Sequence, residues 1–316
     1  MTTPPPPRST IAITGSTGLI GTAAVRVFEQ RGMRVLHVVR RDARADNEIA
    51  WNPSGGSIEA AKLEGVDAVI NLAGANIAQR WTDDAKRAIR DSRINGTTAL
   101  CHALAALSNK PKVLLSGSAI GIYGAHRADP VDESSSLGND FLATVAREWE
   151  GATAPASGAG IRVVNLRTGI VLSRRGGMLE KLFLPFRLGV GGKLGNGEQW
   201  LSWIALADYV EALSFLLTAD RISGPVNLVA PNPATNAEFT RALGRVLRRP
   251  TMFTVPKLAM SLAYGEMADD TIFASQRVRP RRLLEAGFAF ALPTLEGALR
   301  EESTPSPESK SSTRES

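Results

Sequence analysis

From about residue 10 onward, short apolar runs alternate with longer stretches whose apolar residues recur at helical spacing. That rhythm predicts βαβ units and a doubly wound, parallel sheet of the α/β class. Strands are predicted at Thr10–Thr14, Arg34–Val39, Asp67–Leu72, Lys112–Ser118, Ile161–Leu166 and Pro225–Val229, and helices over Ile20–Arg31, Thr82–Ser108, Asp140–Gly151, Met178–Leu188 and Ala207–Ala219. Thr82 is placed to cap its helix, with Asp83 and Asp84 at the positive end of the dipole and Pro111 beyond the far end. Thr235 and Glu238 stand at capping-box spacing, Pro256 and Pro280 each suit a first helical turn, and Gly287 suits a left-handed stop. The last third therefore reads as a small, mainly helical lobe packed on the sheet and drawing on sequence from about residue 170. Residues 1–9, with Pro4–Pro7 in a row, and 302–316, poor in apolar side chains, are expected to be disordered tails.

The chain has 316 residues, 43% of them hydrophobic and 22% charged, enough for one large or two medium cores. Its 37 basic residues exceed its 31 acidic ones by a formal charge of only +6, and 29 of the 37 are arginines, which grip phosphate through a planar fork. No block of five consecutive basic residues appears, so anionic small molecules are expected as ligands and a nucleic-acid partner is not. A single cysteine, Cys101, excludes an internal disulfide, and His37, His102 and His126 share no metal-ligand spacing with it, so no metal site is expected. No run approaches the roughly 18 apolar residues of a membrane span. Ile11–Val25 resembles the apolar part of a secretory signal, yet three glycines at fixed spacing suit a strand-turn-helix better. A cytoplasmic protein without membrane attachment is expected.

Those glycines carry the first functional signal. Gly15, Ser16, Thr17, Gly18, Leu19, Ile20 and Gly21 follow the first strand and open the first helix as G-x-x-G-x-x-G, a variant of the dinucleotide fingerprint. One glycine allows the tight turn, another admits a pyrophosphate to backbone N–H groups, and Gly21 lets helix and strand pack closely. Twenty-four residues after Gly15, where an NAD-binding chain carries Asp or Glu for the ribose 2′-hydroxyl, stands Val39, followed by Arg40, Arg41 and then Arg44. A charge-assisted arginine contact suits a 2′-phosphate, so NADP(H) is expected in preference to NAD(H); a solvated basic loop is the bland alternative. Leu72, Ala73 and Gly74 end the third predicted strand with small residues that let backbone touch a cofactor. Arg80 beyond them reads equally as a phosphate ligand and as a surface charge.

Together these stretches resemble the extended short-chain dehydrogenase/reductase superfamily, through Thr14-Gly15-x-x-Gly18-x-Ile20-Gly21, Asn71-Leu72-Ala73-Gly74, Asn95-Gly96-Thr97 and Tyr123-Gly124. Leu72–Ile77, Asp91-Ser92-Arg93, Leu166–Leu172, Gly195–Ile204, Ala230–Pro233 and Ser275–Val278 are similar to an atypical branch of it, whose members are labelled epimerase family proteins. The resemblance spans about residues 10–300. It implies a Rossmann domain over 10–230 that binds NADP(H), with 170–205 contributing to a substrate lobe and 231–301 forming a small domain that closes over it. Gly169 joins the implied cofactor contacts, and Trp200 and Trp203 are candidates for an apolar substrate pocket.

The chain departs from that superfamily where its chemistry is done. Typical members use a Tyr-x-x-x-Lys pair on the helix after the fifth strand, plus a serine at that strand's end. Here one alignment puts Leu142 and Ala146 in the paired positions, a shift by one puts Phe141 and Val145 there, and the serine position holds Ala119. Ser118 and Tyr123 are the best substitutes and Tyr123 a further pocket candidate, with Asp132 and Glu133 more remote. The family's usual histidine and extra aspartate appear as Ala205 and Ala207, and the arginines at 277, 279, 281 and 282 read as a solvated helix face. Three functions follow as expectations. The first is an NADP(H)-dependent oxidoreductase on a small carbonyl or hydroxyl compound. The second is a non-catalytic NADP(H)-binding sensor or scaffold read by a protein partner. The third, a nucleotide-sugar epimerase, is weakened most by the missing pair.

Overall fold

The structure is a computed structural model describing residues 9–304 apart from Ser54. The polyproline run and most of the tail predicted at 302–316 lie outside the described residues. Its strands are β1 (Thr10–Thr14), β2 (Arg34–Val39), β3 (Glu48–Asn52), β4 (Ser57–Ile58), β5 (Ala68–Asn71), β6 (Val113–Ala119), β7 (Arg162–Thr168), β8 (Ile170–Leu172), β9 (Gly192–Leu194), β10 (Trp200–Leu201), β11 (Trp203–Ala205), β12 (Gly224–Leu228), β13 (Ala234–Thr235) and β14 (Phe253–Val255). The helices are α1 (Leu19–Gln30), α2 (Asp83–Ala106), α3 (Phe141–Gly151), α4 (Ala154–Gly158), α5 (Gly177–Arg187), α6 (Leu206–Thr218), α7 (Asn236–Leu247), α8 (Lys257–Tyr264), α9 (Arg281–Glu285) and α10 (Leu295–Ser303).

One eight-stranded sheet runs in the order β12-β7-β6-β5-β1-β2-β3-β4. All neighbours are parallel except the final β3–β4 pair. The chain winds outward from β1 through β2 to β3, then returns to β5 on the other side of β1. The order therefore reverses beside β1, and that crevice at the carboxyl ends is where such sheets bind ligands. Both faces are covered. On β1, Ile11 and Ile13 pack toward Phe28 of α1 and Tyr209 and Leu213 of α6. Ala12 between them faces the layer containing Leu100 and Leu104 of α2. This period-two division of a wholly apolar strand is what a doubly covered parallel sheet requires.

β3 and β4 were not among the predicted strands. Glu48-Ile49-Ala50-Trp51-Asn52 begins and ends on polar residues, so its two buried side chains, Ile49 and Trp51, leave too short an apolar run to register as a strand. The expected caps form. Thr82 Oγ1 accepts from the Ala85 N–H at 3.2 Å, and Thr235 and Glu238 complete their capping box. The final helix continues to Ser303, so the tail begins later than predicted. Its end is fixed because Glu302 accepts the Arg174 N–H at 2.7 Å and the Ser303 hydroxyl donates to the Leu299 carbonyl at 2.7 Å.

The C-terminal lobe has its own core of Leu172, Leu179, Trp203, Phe239, Leu243 and Leu299, built on α5, α7 and α10. Ser202 and Gln276 staple it to the sheet domain. Ser202 Oγ donates to the Gln276 carbonyl at 2.7 Å and accepts the Val278 N–H at 2.8 Å, while the Gln276 amide donates to the Gly124 carbonyl at 2.5 Å. Among the described residues no helix is long and apolar enough to cross a membrane, and no group of three His, Cys, Asp or Glu is placed to hold a metal ion.

Beneath the carboxyl edge lies a buried polar chain. Thr14 Oγ1 donates to Asn71 Oδ1 at 2.7 Å and accepts the Leu72 and Ala73 N–H groups, each at 3.1 Å. Asn71 Nδ2 and Trp149 Nε1 both donate to Thr97 Oγ1 at 2.9 Å. This chain locks β1, β5, α2 and α3 in one arrangement. Replacing Thr97 with Val removes the shared acceptor, strands the buried Trp149 N–H and leaves Asn71 Nδ2 only its 3.4 Å bond to Ser116 Oγ; urea unfolding should show a loss of about 1–3 kcal/mol.

Candidate functional site

The phosphate turn is built by close approach. Gly15 has φ +67°, which a side chain would strain, and a Cβ there would come 3.0 Å from the Leu72 carbonyl carbon and oxygen. A Cβ on Gly21 would fall 2.1 Å from the Gly15 carbonyl oxygen, so α1 can lie this close to the turn only with glycine at that position. Gly18 caps α1 without a side-chain hydrogen bond, and the first bond onto its carbonyl comes from the Thr22 N–H at 2.9 Å. The N–H groups of Leu19, Ile20 and Gly21 therefore face the crevice at the positive end of a 12-residue helix dipole, an arrangement that binds anions. Ser16 is buried beside the turn and Thr17 is exposed at its tip.

A cavity of about 460 Å³ runs from this turn to the C-terminal lobe. It passes Leu72, the β6 edge at Ser118, and Gly169, and ends at Trp200, Asp270 and Gln276. A second, more open groove of about 1040 Å³ lies beyond the end of β2. Arg40, Trp51, Asn52, Pro53 and Asn95 line it. The predicted residues divide between these spaces. Gly15, Gly18, Leu19, Ile20, Gly21, Leu72 and Gly169 line the cavity. Ala73 and Gly74 continue the strand end at its rim, where a Cβ on Gly74 would meet the Arg93 guanidinium at 3.1 Å.

Arg40 is exposed on the groove and has no ion pair among the described residues, whereas Arg41 is already engaged. Its guanidinium forks onto Glu48 at 2.7 and 2.5 Å. Those bonds, with the Arg44 N–H, pull the Glu48 carboxyl down to about 2, so it stays ionised at neutral pH and holds Arg41. The pair of free arginines expected after β2 is thus one free arginine and one committed one. Arg80 is corrected outright. It lines neither space, and it donates to the Leu262 carbonyl at 3.2 Å on α8.

Two groups that the sequence reading gave no function do face these spaces. Arg93 on α2 lines the cavity, stacks on the Trp149 ring at 5.1 Å and, among the described residues, meets no carboxylate. Burial lowers its pKa to about 10, and it donates to the Ile89 carbonyl at 3.0 Å. Trp51 Nε1 is buried at the groove with no partner among the described residues. The Asp91-Ser92-Arg93 stretch was visible as a motif, but only the path of α2 shows which of its side chains turns inward.

At the reaction end, Leu142, Val145, Ala146 and Trp149 of α3 line the cavity, while Phe141 turns away to stack edge-on against Trp81 at 5.2 Å. The structure thus selects the alignment with Leu142 and Ala146 in the Tyr and Lys positions. Tyr123 is corrected in both its expected uses, because it is fully buried and lines no part of the cavity. Its hydroxyl donates to Asn227 Oδ1 at 2.8 Å and accepts from Arg167 at 2.9 Å, and burial raises its pKa. Trp203 is corrected likewise. It sits at 1% exposure in the lobe core with Nε1 on the Asn232 carbonyl, whereas Trp200, on a different short strand, lines the cavity. Asp132 is held by Ser134 in its loop, and Glu133 lies half-buried against the Asn227 and Arg282 N–H groups. Neither reaches the cavity.

Ser118 does reach it, but its hydroxyl donates to Glu150 Oε1 at 2.7 Å, and Glu150 forks onto Arg167 at 2.8 and 2.9 Å. Burial opposes the Arg167 charge, yet these bonds hold its pKa above the usual arginine value. With its proton on Glu150, Ser118 presents an acceptor to the cavity. Tyr209, which the sequence reading also left without a function, lines the same wall with its hydroxyl on Thr168 at 2.9 Å and its pKa pushed up to about 12 by burial.

Comparison with known proteins agrees with this architecture. Residues 11–229 match the pattern of the NAD dependent epimerase/dehydratase family, and residues 255–302 match a domain of unknown function, DUF1731. The chain belongs to that epimerase/dehydratase family. Epimerase family protein Mb2239 of Mycobacterium bovis is 45% identical over 290 residues, covering 92% of this chain and 96% of its own. The Arabidopsis thaliana epimerase family protein SDR39U1 homolog, chloroplastic, is 36% identical over 92% of this chain and 86% of its own. Among solved structures, human epimerase family protein SDR39U1 with NADPH superposes with a TM-score of 0.85 at 32% identity, covering 92% of this chain and 98% of that one. A protein described as a nucleoside-diphosphate sugar epimerase from Corynebacterium glutamicum gives 0.78 at 36% identity, over 93% of this chain and 58% of its own. These relatives place the chain in the atypical, extended short-chain dehydrogenase/reductase branch that its motifs resemble.

The Glu150–Arg167 pair allows a direct stability test, since their side chains are only 15% and 4% exposed. Glu150→Ala leaves a buried guanidinium without its counter-ion and should lower unfolding free energy by about 3–5 kcal/mol in urea. Glu150→Leu combined with Arg167→Met should recover most of that loss.

Proposed function

We propose that the protein binds NADP(H) along this cleft and passes hydride between the nicotinamide and a small carbonyl or hydroxyl compound held against the C-terminal lobe. The observation that carries the reading is the turn. Gly21 sits under the Gly15 carbonyl, where a Cβ would collide at 2.1 Å, and the first N–H groups of α1 open toward the cavity that Gly18, Leu19, Ile20 and Gly21 line. The bound dinucleotide would supply the hydride chemistry. The chain's own residues bind and orient. Leu19, Ile20 and Gly21 offer N–H groups to a pyrophosphate, Arg93 stands beside Gly74 as a second phosphate ligand, and Arg40 reaches a 2′-phosphate over the groove. The orphaned Trp51 N–H gives that groove a donor for the adenosine end. The NADPH carried by human SDR39U1 supports the same reading; the NAD named with several remoter neighbours comes from proteins under 20% identical, which share the fold alone.

A second reading has its own observation. The Tyr-x-x-x-Lys positions hold Leu142 and Ala146, and the hydroxyl proton of Ser118 is committed to Glu150, so a cofactor-holding sensor for a partner protein fits the same cleft. Stopped-flow oxidation of bound NADPH against a panel of carbonyl compounds separates the two, since turnover supports the enzyme and silence with tight retention supports the sensor.

For cofactor choice, Arg40→Asp should weaken NADPH at least tenfold by calorimetry, about 1.4 kcal/mol, while leaving NADH nearly unchanged. Glu48→Gln should release Arg41 and tighten NADPH. An unchanged NADPH/NADH ratio in both variants would sink the assignment to the 2′-phosphate.

A further inference from the structure

Resting on that cofactor reading, we propose that the substrate half of the cavity takes an uncharged, largely apolar carbonyl or alcohol and turns away nucleoside diphosphate sugars. Three features of the wall lead there. First, its surface between the sheet and the lobe is apolar, formed by Ile77, Ile89, Leu142, Val145, Ala146 and the ring of Trp200. The two positions that would move protons in a typical relative have become hydrocarbon.

Second, its charge has the wrong sign for a diphosphate. Among the described residues, Arg93 is the one cation lining the cavity; it stands beside Gly74 and stacks on Trp149, where the cofactor end meets the substrate wall, so that wall meets a single positive charge. At the lobe end stand Asp140 and Asp270. Asp140 accepts the Ala125 and Ala143 N–H groups at 2.7 and 2.8 Å, and Asp270, on the π-helical segment Ala268–Ile272, has no hydrogen bond among the described residues. Burial and the neighbouring Asp140 and Glu266 raise the Asp270 pKa, with His126 and Lys86 opposing. Neither Asp140 nor Asp270 offers positive charge to a diphosphate. Arg277 stacks on the Trp200 ring at 4.6 Å and does not line the cavity.

Third, the neutral hydrogen-bond donors at the wall are spent, and what stays open there is acceptors, the Asp270 carboxyl and Ser118 Oγ. The Gln276 amide donates to the Ile120 and Gly124 carbonyls, the Ser202 hydroxyl bonds to Gln276 and Val278, and the Ser118 proton lies on Glu150. A buried sugar ring would find no neutral donor for its hydroxyl oxygens, each left so at the cost of its lost hydration. A flat, neutral molecule loses little on entry and gains the Trp200 face. An alcohol can donate its hydroxyl to the free lone pairs of Ser118, whereas a ketone, having no donor, is held by the apolar wall and the Trp200 face alone.

Calorimetry on the full chain loaded with NADPH tests this with two probes, 2-acetylnaphthalene and UDP-glucose. The ketone should bind saturably and UDP-glucose should give no heat. Leu142→Asp and, separately, Trp200→Ala should weaken the ketone at least tenfold without changing NADPH affinity, and retained NADPH binding also shows that each variant is folded. Saturable UDP-glucose binding, ketone binding indifferent to both substitutions, or heat from neither probe would each overturn the proposal. If the unsubstituted chain took up no NADPH, the cofactor reading would fail, and this inference with it.

Discussion

One close contact sets the geometry of everything above it. α1 passes so near the Gly15 carbonyl that no side chain fits at Gly21, and this brings the open end of the helix to the crevice where strand order reverses beside β1. The other wall of that crevice is fixed from below, by Thr14 reaching across to Asn71 and to the backbone that follows it. Because the sheet is apolar on both faces, these few hydrogen bonds are the directional element in an otherwise hydrophobic layer. They decide which edge presents backbone donors to a ligand.

The opposite half of the site was rebuilt around a buried charge. Ser118, Glu150, Arg167, Tyr123 and Asn227 form a continuous hydrogen-bonded series running from the cavity wall into the sheet. A guanidinium this deep is tolerable because Glu150 neutralises it with a two-point grip and Tyr123 supplies a further acceptor. The same bonds remove Tyr123 from solvent and fix the orientation of the Ser118 hydroxyl. What was lost with the usual tyrosine and lysine is thus a proton donor at the cavity surface, and what replaced it is a rigid wall.

Much of this was legible in the amino-acid order. Six strands and five long helices were placed to within a residue or two, because their apolar runs are long and Gly, Pro, Thr and Asp mark their ends. β3 was hidden by its polar termini. Its absence from the reading concealed the groove formed by Trp51, Asn52 and Pro53, and with it the Arg41–Glu48 pair that ties up one of two arginines. Tyr123 and Arg167 stand 44 residues apart, and no local pattern announces that one buries the other. Arg93 illustrates the same limit, since periodicity identifies a helix but not which neighbour each face meets. Trp200 and Trp203 were separable only in part, because their opposite fates follow from two short strands pairing with different partners.

Amide hydrogen exchange over residues 15–22, followed with and without NADPH, tests the central claim most directly. Exchange at Leu19, Ile20 and Gly21 should slow markedly when the dinucleotide is added, because their N–H groups pass from water to pyrophosphate oxygens. Unchanged exchange across that segment at saturating NADPH would contradict it.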